Sequence, residues 1–596
     1  MHFPTSLRLA STLVFGAVLA LGQVGTATIT GSVVDPTGAV ITGVDVTVVN
    51  LDTNFTFTAR TNTEGLYRVP SLQPGPYRLT FKAGGFKQLV RDGIMLRTGD
   101  VLPVDATLEV GALTESIAVT AGATLIETQT SSAGSVVEGH TLQALPMYQR
   151  FVDATAMFMP GVSVGTTSGS GSVNGYNMAG QRSTAIGMFE DGISVNTPSA
   201  DAASLRSVQN SVAEVKVLTT ALPAEYGHSA GGVVSTVKKT GTNELHGMGT
   251  FYGHARQMQQ RNFFDQSTFS QPVVGFPNGI TPFFFLNPEA NIGGPIVIPK
   301  IYNGRNKTFF FFGWNKIIEK IRNFQAFGTV PDQNMKNGNF SFDGLGVPIY
   351  DPSTTRQNPD GTWTRDPIPS NQIPLSRINP VAQKILAINP WDNPNVPGTY
   401  NSAGPSGNFA YSPPSRTYFD DLNGRVDHQF NTSAKIYGGF TWNKSNGAGR
   451  PANIAVHDFD GTNGNESPQV NQSWSLGQSY IISPTLFNDA HLGYFRRYGH
   501  VIVPSYGKNY GQILGIPNIS PDLLPAFGTG DQMTPGSIYG LTVSGPSQTV
   551  QETLTARDDL SKVVGTHVFK AGYEWMRFRM NATASTQPSG VSHSPT

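Results

Sequence analysis

Residues 224–247, AEYGHSAGGVVSTVKKTGTNELHG, decide how the rest of the chain is read. Gly227-His228-Ser229-Ala230-Gly231 matches G-x-S-x-G, the nucleophile elbow, which needs a strand before the serine and a helix straight after it. Ser229 is succeeded instead by Ala230-Gly231-Gly232 and then Val233-Val234-Ser235-Thr236-Val237. Paired glycines and a β-branched run oppose helix initiation and favour a glycine bend feeding a strand. No HGGG-type oxyanion loop occurs anywhere. A serine esterase at Ser229 therefore lacks its context, and the block reads as a bend between strands.

The whole chain fits a β-rich reading. At 596 residues it needs several domains. Lys+Arg and Asp+Glu balance at 40 each, so no net field favours nucleic acid. Charged residues are only 13%, against roughly 25% in ordinary soluble domains. Glycine, proline and phenylalanine are abundant instead, which fits many turns and aromatic-faced strands. With no cysteine, disulfides, thiol catalysis and iron–sulfur clusters are excluded, which suits passage through an oxidising periplasm. No His-Glu dipeptide and no His-x-x-Glu occurs, so zinc peptidase chemistry has no ligands; no catalytic, metal or cofactor residues are assigned.

Residues 1–27 read as a signal peptide: Arg8 precedes the apolar run Leu9–Leu21, and small residues place cleavage near Ala27. No later stretch is apolar and long enough for a transmembrane helix, so any membrane crossing must use a barrel. Residues 28–110 read as a small β-sandwich. Thr28–Val34, Val44–Val49, Phe55–Thr61, Leu66–Val69 and Tyr77–Lys82 are short strands broken by turns such as Asp35-Pro36-Thr37-Gly38 and Gln73-Pro74-Gly75-Pro76. The phrases TGSVVDPTGAVITGVDVTVVN and TNTEGLYRVPSLQPGPYRLTFKAGGF are similar to the carboxypeptidase regulatory-like domain, a transthyretin-like sandwich. That fold is grouped with carbohydrate-binding folds. Tyr67, Tyr77 and Phe86 are therefore either sugar-stacking faces or core and turn packing.

Further on, the order of short phrases carries a second resemblance. Leu145-Pro146, Met159-Pro160-Gly161-Val162, Asn174-Gly175, Asp191-Gly192-Ile193, Val215-Lys216-Val217 and Ala224-Glu225-Tyr226-Gly227 resemble the plug of TonB-dependent outer-membrane transporters of the Oar-like type. This assigns residues 124–240 to an α+β plug domain, with the Ser/Gly/Thr-rich Gly165–Gly171 expected to be mobile. Residues 111–123 become a linker. Within it Glu115, Ser116, Ile117, Ala118, Val119, Thr120 and Ala121 resemble a TonB box, a mobile β-prone strip that adds as a strand to a partner's sheet edge. The same residues also suit a last sandwich strand or a spacer.

Residues 241–596 are expected to form a partial transmembrane antiparallel β-barrel. His246–Tyr252, Asn291–Ile296, Phe309–Phe312 with Trp314, and Tyr350-Asp351-Pro352 with Arg377-Ile378 are phrases of the same family, the last two marking a long inserted loop. Three hairpins argue for a barrel without the family. Ile436, Gly438, Phe440 and Trp442 alternate with Lys435, Tyr437, Gly439, Thr441 and Asn443. Leu492 and Tyr494 alternate with His491 and Gly493 in a hairpin turning at Ser483-Pro484-Thr485. Phe569, Ala571, Tyr573 and Trp575 oppose Lys570, Gly572 and Glu574, after a turn at Gly565-Thr566. A lipid-facing strand with an aqueous lumen behind it requires this dyad; a soluble sandwich would turn the apolar face inward. His457–Glu466 gathers acidic and amide oxygens, but Asn463 stands where a calcium loop needs glycine, so a surface turn is expected. Transporter barrels use about 22 strands, at about 9–11 residues each. This segment then holds roughly ten to twelve strands. It is expected to be C-terminally truncated and unable to close alone.

The resemblance implies a mainly β outer-membrane receptor that binds an extracellular siderophore, oligosaccharide or peptide. Import would be coupled to plug displacement by a TonB-type energy transducer, with outer-membrane lipid around the barrel and no nucleic-acid partner. The alternative from another class is a surface adhesion or carbohydrate-binding protein without transport.

Overall fold

The computed structural model describes residues 26–112, 116–120, 133–145, 147, 150–164, 176–197, 205, 207–258, 283–322, 326–341, 348–401, 404–411, 414–448, 466–501, 507–517, 526–528, 547–583 and 591–593. The signal-peptide run, the Gly165–Gly171 tract, the candidate calcium loop up to Asn465, and Glu115 and Ala121 lie outside them. Ala27, the expected cleavage position, is the buried first residue of β1.

Turn chemistry and β-branched runs build the first domain. Its strands are β1 (Ala27–Val34), β2 (Asp45–Asn50), β3 (Thr56–Arg60), β4 (Leu66–Leu72), β5 (Gly75–Lys82), β6 (Gln88–Leu96), β7 (Val101–Pro103), β8 (Ala106–Thr107) and β9 (Ser116–Thr120). One sheet runs β4-β1-β7, with β8 also on β1; the other runs β3-β2-β5-β6-β9. Alternate residues of both sheets interleave in one core that includes Ile29, Val48, Val69, Leu79, Phe81 and Leu96. Tyr67 and Tyr77 are buried there, their hydroxyls donating to the carbonyls of Val104 (2.7 Å) and Gln73 (2.8 Å). They are packing residues and offer no face for a sugar.

β9 changes the picture of the linker. It pairs in parallel with β6, from Gln88 opposite Ser116 to Asp92 opposite Thr120, as the outermost strand of the second sheet. An uncharged β-prone segment next to an open sheet edge gains ladder hydrogen bonds by docking there.

The plug carries β10 (Ala133–Glu138), helix α1 (Gly139–Ala144), β11 (Val162–Val164), β12 (Tyr176–Met178), β13 (Gly187–Glu190), β14 (Ile193–Ser194), β15 (Val212–Thr220) and β16 (Val233–Lys238). Its five-stranded sheet is ordered β10-β15-β16-β13-β14, with β13 and β16 parallel. Val137, Leu142, Val152, Met188, Val215 and Val234 form its core.

Nine long strands come next in simple up-and-down order: β17 (His246–Ala255), β18 (Phe283–Pro295), β19 (Thr308–Arg322), β20 (Pro414–Gln429), β21 (Ala434–Ala448), β22 (Glu466–Ser483), β23 (Leu486–Val501), β24 (Ser547–Val564) and β25 (His567–Thr583). Among the described residues nine such strands are seen where ten to twelve were expected, and several reach 15–18 residues, longer than the length assumed. β17 and β25 are the two edges of this sheet, and they do not pair with each other among the described residues.

The wall is turned inside out relative to a soluble sandwich. Asp421, Asn423, Arg425 and Asp427 of β20, Lys435, Thr441 and Asn443 of β21, Ser473 of β22, and Thr553 and Arg557 of β24 are buried on the face that meets the plug. Val426, Trp474, Leu476, Leu492, Leu554 and Leu560 stand exposed on the other face. Short turns at one rim meet the sandwich: Asn62 donates to the Gly565 carbonyl (3.3 Å), and Asn54 to Asn306 (3.0 Å). The long connections leave from the opposite rim. There Asp351 accepts two hydrogen bonds from Arg377 (2.6 and 2.7 Å), bracing the inserted loop that carries helix α2 (Pro380–Ile388). Short periplasmic turns and long outer loops are the polarity of outer-membrane barrels, so the sandwich sits at the periplasmic rim.

Candidate functional site

The site is the junction where plug, wall and sandwich meet, and a two-residue turn creates it. Asp191 and Gly192 both have positive φ (47° and 86°), which makes a type I′ hairpin between β13 and β14. The turn thrusts the carboxylates of Glu190 and Asp191 against the polar face of the wall. Two wall glycines leave room for it. A Cβ on Gly493 would lie 2.5 Å from Cγ2 of Ile193, and one on Gly439 would lie 3.2 Å from Oδ2 of Asp191.

Around the hairpin the cations Lys238, Arg425 and Lys435 face the anions Glu190, Asp191 and Asp427. Arg425 Nη1 donates to Asp191 at 2.9 Å, while its Nε and Nη2 hold Asp427 at 2.9 and 3.0 Å. Its guanidinium lies 4.3 Å from the centre of the Tyr437 ring, and the Tyr437 hydroxyl donates to the Asp191 carbonyl at 2.9 Å. Lys238 Nζ sits 2.9 Å from Glu190 and 3.4 Å from Asp191, and its backbone N–H donates to Asp191 at 3.0 Å. Burial pulls the Lys238 ammonium down, but the carboxylates of Glu190 and Asp191 outweigh it and hold the group above the usual lysine range. Glu190 also accepts from Thr441 of the wall (2.9 Å) and Ser207 of the plug (2.8 Å).

Asp427 joins all three domains. It accepts from Gln73 of the sandwich (2.7 Å), Thr240 at the end of the plug (2.8 Å) and Arg425 of the wall, with Lys435 at 3.8 Å. A pocket of about 40 Å³ here is lined by Gln73, Lys238, Thr240, Arg425, Lys435 and Tyr437, among others. A second buried pair, Arg150 with Glu289 (3.4 Å), ties the plug to β18, where Glu289 also accepts from Asn210, from Thr250 (3.1 Å) and from Asn315 (2.9 Å).

The sandwich grips the plug separately. Glu214 of β15 accepts the Thr98 N–H at 2.5 Å, Lys216 donates to the Gly99 carbonyl at 3.2 Å, and Arg97 pairs with Glu138 at 2.8 Å. Burial pushes the Glu214 carboxyl up to about 7, only partly offset by the Thr98 hydrogen bonds and reinforced by Asp100 and Glu138.

The residues that the sequence singles out distribute unevenly over this site. Asp191-Gly192 proves to be its hinge, and the alternating Lys435–Asn443 strand supplies Lys435, Tyr437 and Thr441. Ser229 lacks the elbow's context: β16 comes after it instead of a helix, and the neighbouring His228 ring stacks on Phe578 at 6.0 Å. Five of the seven candidate TonB-box residues form β9, at the sandwich edge. Sequence reasoning missed Arg425, Asp427, Glu190 and Lys238. Charges placed inward on otherwise alternating strands were the available signal.

A polar-lined strand wall packed against a charged α+β stopper defines the plugged outer-membrane barrel class. The chain matches the outer membrane beta barrel domain over residues 237–593, the TonB-dependent receptor plug domain over 127–234 and the carboxypeptidase regulatory-like domain over 28–109. The first match covers more than half of the chain, which therefore belongs to the outer-membrane β-barrel family, as a TonB-dependent-receptor type with a regulatory-like domain ahead of its plug. It is 27% identical over 337 residues to the TonB-dependent transporter Oar of Myxococcus xanthus, covering 52% of this chain and 28% of that one. Similar solved structures include the ferric enterobactin receptor PfeA of Pseudomonas aeruginosa (12% identity, TM-score 0.42, 76% of this chain and 50% of that one). The siderophore receptor PirA of Acinetobacter baumannii is another (14%, TM-score 0.41, 75% and 48%). The chain thus spans under a third of the curated relative and about half of these structures.

Proposed function

We propose that the chain binds an extracellular ligand and admits it when a TonB-type energy transducer displaces the plug through the 115–121 segment. The observation that carries this reading is the buried ionic junction at Asp191 and Asp427. A buried ion pair adds little net stability, yet withdrawing one partner is costly because the other is left buried and uncompensated. Such a contact releases all at once and re-forms in one register, as a stopper that leaves and returns requires. Apolar packing of the same area would hold the plug without that selectivity of register. No covalent step is needed, and no catalytic group is assigned. The ligand is a siderophore, an oligosaccharide or a peptide, met by the outer loops, and lipid surrounds the exposed face of the wall. Burial of Tyr67 and Tyr77 removes two of the three sandwich aromatics that the adhesion reading would use, and the third, Phe86, packs partly buried against the same core.

The test is ligand uptake by cells carrying the chain with residues 115–121 deleted. Loss of energised uptake with retained surface binding is expected. Unchanged uptake eliminates the coupling.

A further inference from the structure

The 116–120 strand has a place in the fold that its proposed role does not by itself require. It lies on the sandwich as the terminal strand of the sheet β3-β2-β5-β6-β9. We propose that the sandwich is the docking platform for the periplasmic transducer: it carries Ser116–Thr120 as its outermost strand, and the partner adds an extended strand to the free side of β9 without removing it from β6. This rests on the reading that the 115–121 segment is the coupling segment, and it adds where and how the partner binds.

The two edges of that sheet are treated differently. The β3 edge is engaged by the wall: the Thr56 carbonyl accepts from Gln429 at 2.9 Å, and the rings of Phe55 and Phe309 pack with centroids 5.2 Å apart. At the other edge no strand pairs with the outer side of β9 among the described residues. In a parallel ladder alternate residues turn both N–H and C=O away from the neighbour, so β9 turns donors and acceptors outward to a side where no described strand lies. Exposed edges are ordinarily blunted with lysine, proline, charge or a bulge. Ser116-Ile117-Ala118-Val119-Thr120 has no charge and no proline, and its register with β6 is unbroken over all five pairs. An uncharged, regular edge is the geometry that accepts an added strand.

The platform is also mechanically placed. The turn after β6 grips the plug through Thr98 on Glu214, Gly99 on Lys216 and Arg97 on Glu138. Gln73 reaches Asp427 in the ionic junction. A load applied at β9 therefore reaches the plug along the chain into β10 and, in parallel, through the sandwich onto β15 and the Asp427 junction.

The absence of cysteine makes the test direct. Val90 and Ala118 are register partners, and Val90→Cys with Ala118→Cys in the full chain creates a single oxidisable lock between β6 and β9. The probe is the purified periplasmic domain of the transducer from the same cell, titrated against the detergent-solubilised protein, oxidised and then reduced. The expected result is a lock that forms on oxidation and a Kd that agrees within about twofold between the two states. A lock that forms but weakens binding more than tenfold, with recovery on reduction, would overturn the proposal, because the strand would then have to leave the sandwich. Failure of the lock to form would overturn it equally, by showing β9 away from β6. The 115–121 deletion run alongside reports on the underlying reading alone: binding that survives it means the segment is not the coupling segment at all.

Discussion

Replacing Asp191 by asparagine tests how the plug is held. The asparagine keeps the shape of the side chain and can still accept the Lys238 backbone N–H, so the hairpin turn survives. What is lost is the anion between Arg425 Nη1 at 2.9 Å and Lys238 Nζ at 3.4 Å. Lys238, Arg425 and Lys435 are then left against Glu190 and Asp427 only, all with side chains at most 5% exposed. Breaking one member out of a buried charge cluster costs about 3–5 kcal/mol. At about 1.4 kcal/mol per decade, that is roughly a hundred- to several-thousand-fold in the opening equilibrium of the hairpin. Hydrogen exchange of the β13 and β16 amides in detergent reads this directly, since they exchange through local opening of the plug. The expected outcome is acceleration of that size confined to β13, β14 and β16. The surface pair Arg60–Asp45, with both side chains more than half exposed, is the control: Asp45→Asn should leave plug exchange unaltered. Plug amides in Asp191→Asn that exchange within twofold of the native rate would refute the idea that charge pairs hold the plug.

The sandwich–plug contact and the wall glycines give two more expected outcomes. Glu214 has its carboxyl pushed up from 4.5 to about 7 when docked against Thr98. The docked form therefore keeps its proton where the free form has lost it, so sandwich–plug docking is strongest at the acid end and weakens as pH rises from 4.5 through about 7. The change is on the order of 3 kcal/mol across that window and levels off above it. Exchange at Arg97–Gly99 followed against pH should show this slope, and Glu214→Gln should flatten it. Gly493→Val drives a side chain into Ile193 and should loosen the β13–β14 hairpin by about 1–3 kcal/mol, read by the same exchange experiment. Gly249→Ala, whose added Cβ meets open space on the same wall, should do nothing.

Period-two alternation made the wall legible, because a strand buried on one side repeats its chemistry every second residue. Lys435–Asn443 and the hairpins turning at Ser483-Pro484-Thr485 and Gly565-Thr566 stand as read. The first five sandwich strands were legible from their turns. β6 to β8 were not, because Gln88–Leu96 is interrupted by Arg91-Asp92-Gly93 and the next two strands are three and two residues long. Strand length was not legible either: several strands run to 15–18 residues, a length that no local signal encodes. The junction itself was half visible. Asp-Gly announces a tight hairpin by its φ requirements, but the pairing of Asp191 with Arg425 joins residues 234 positions apart, and only the folded wall brings them together. A last sandwich strand at 116–120 was one of the readings left open, but the sequence did not choose it, since a five-residue β-prone strip suits a free tether and an edge strand equally well.

Plug, junction and platform all depend on which way the wall faces, and a nitroxide scan along β22 measures that. In a chain without cysteine, single labels from Gln472 to Gln478 in lipid bilayers report collision with oxygen, which concentrates in hydrocarbon, and with a water-soluble nickel chelate. Positions 474 and 476, where Trp474 and Leu476 are 56% and 45% exposed, should show high oxygen and low nickel accessibility. Positions 473 and 475, turned to the plug, should be low for both. Low oxygen accessibility at 474 and 476, in a protein that stays dissolved without detergent, would contradict the account.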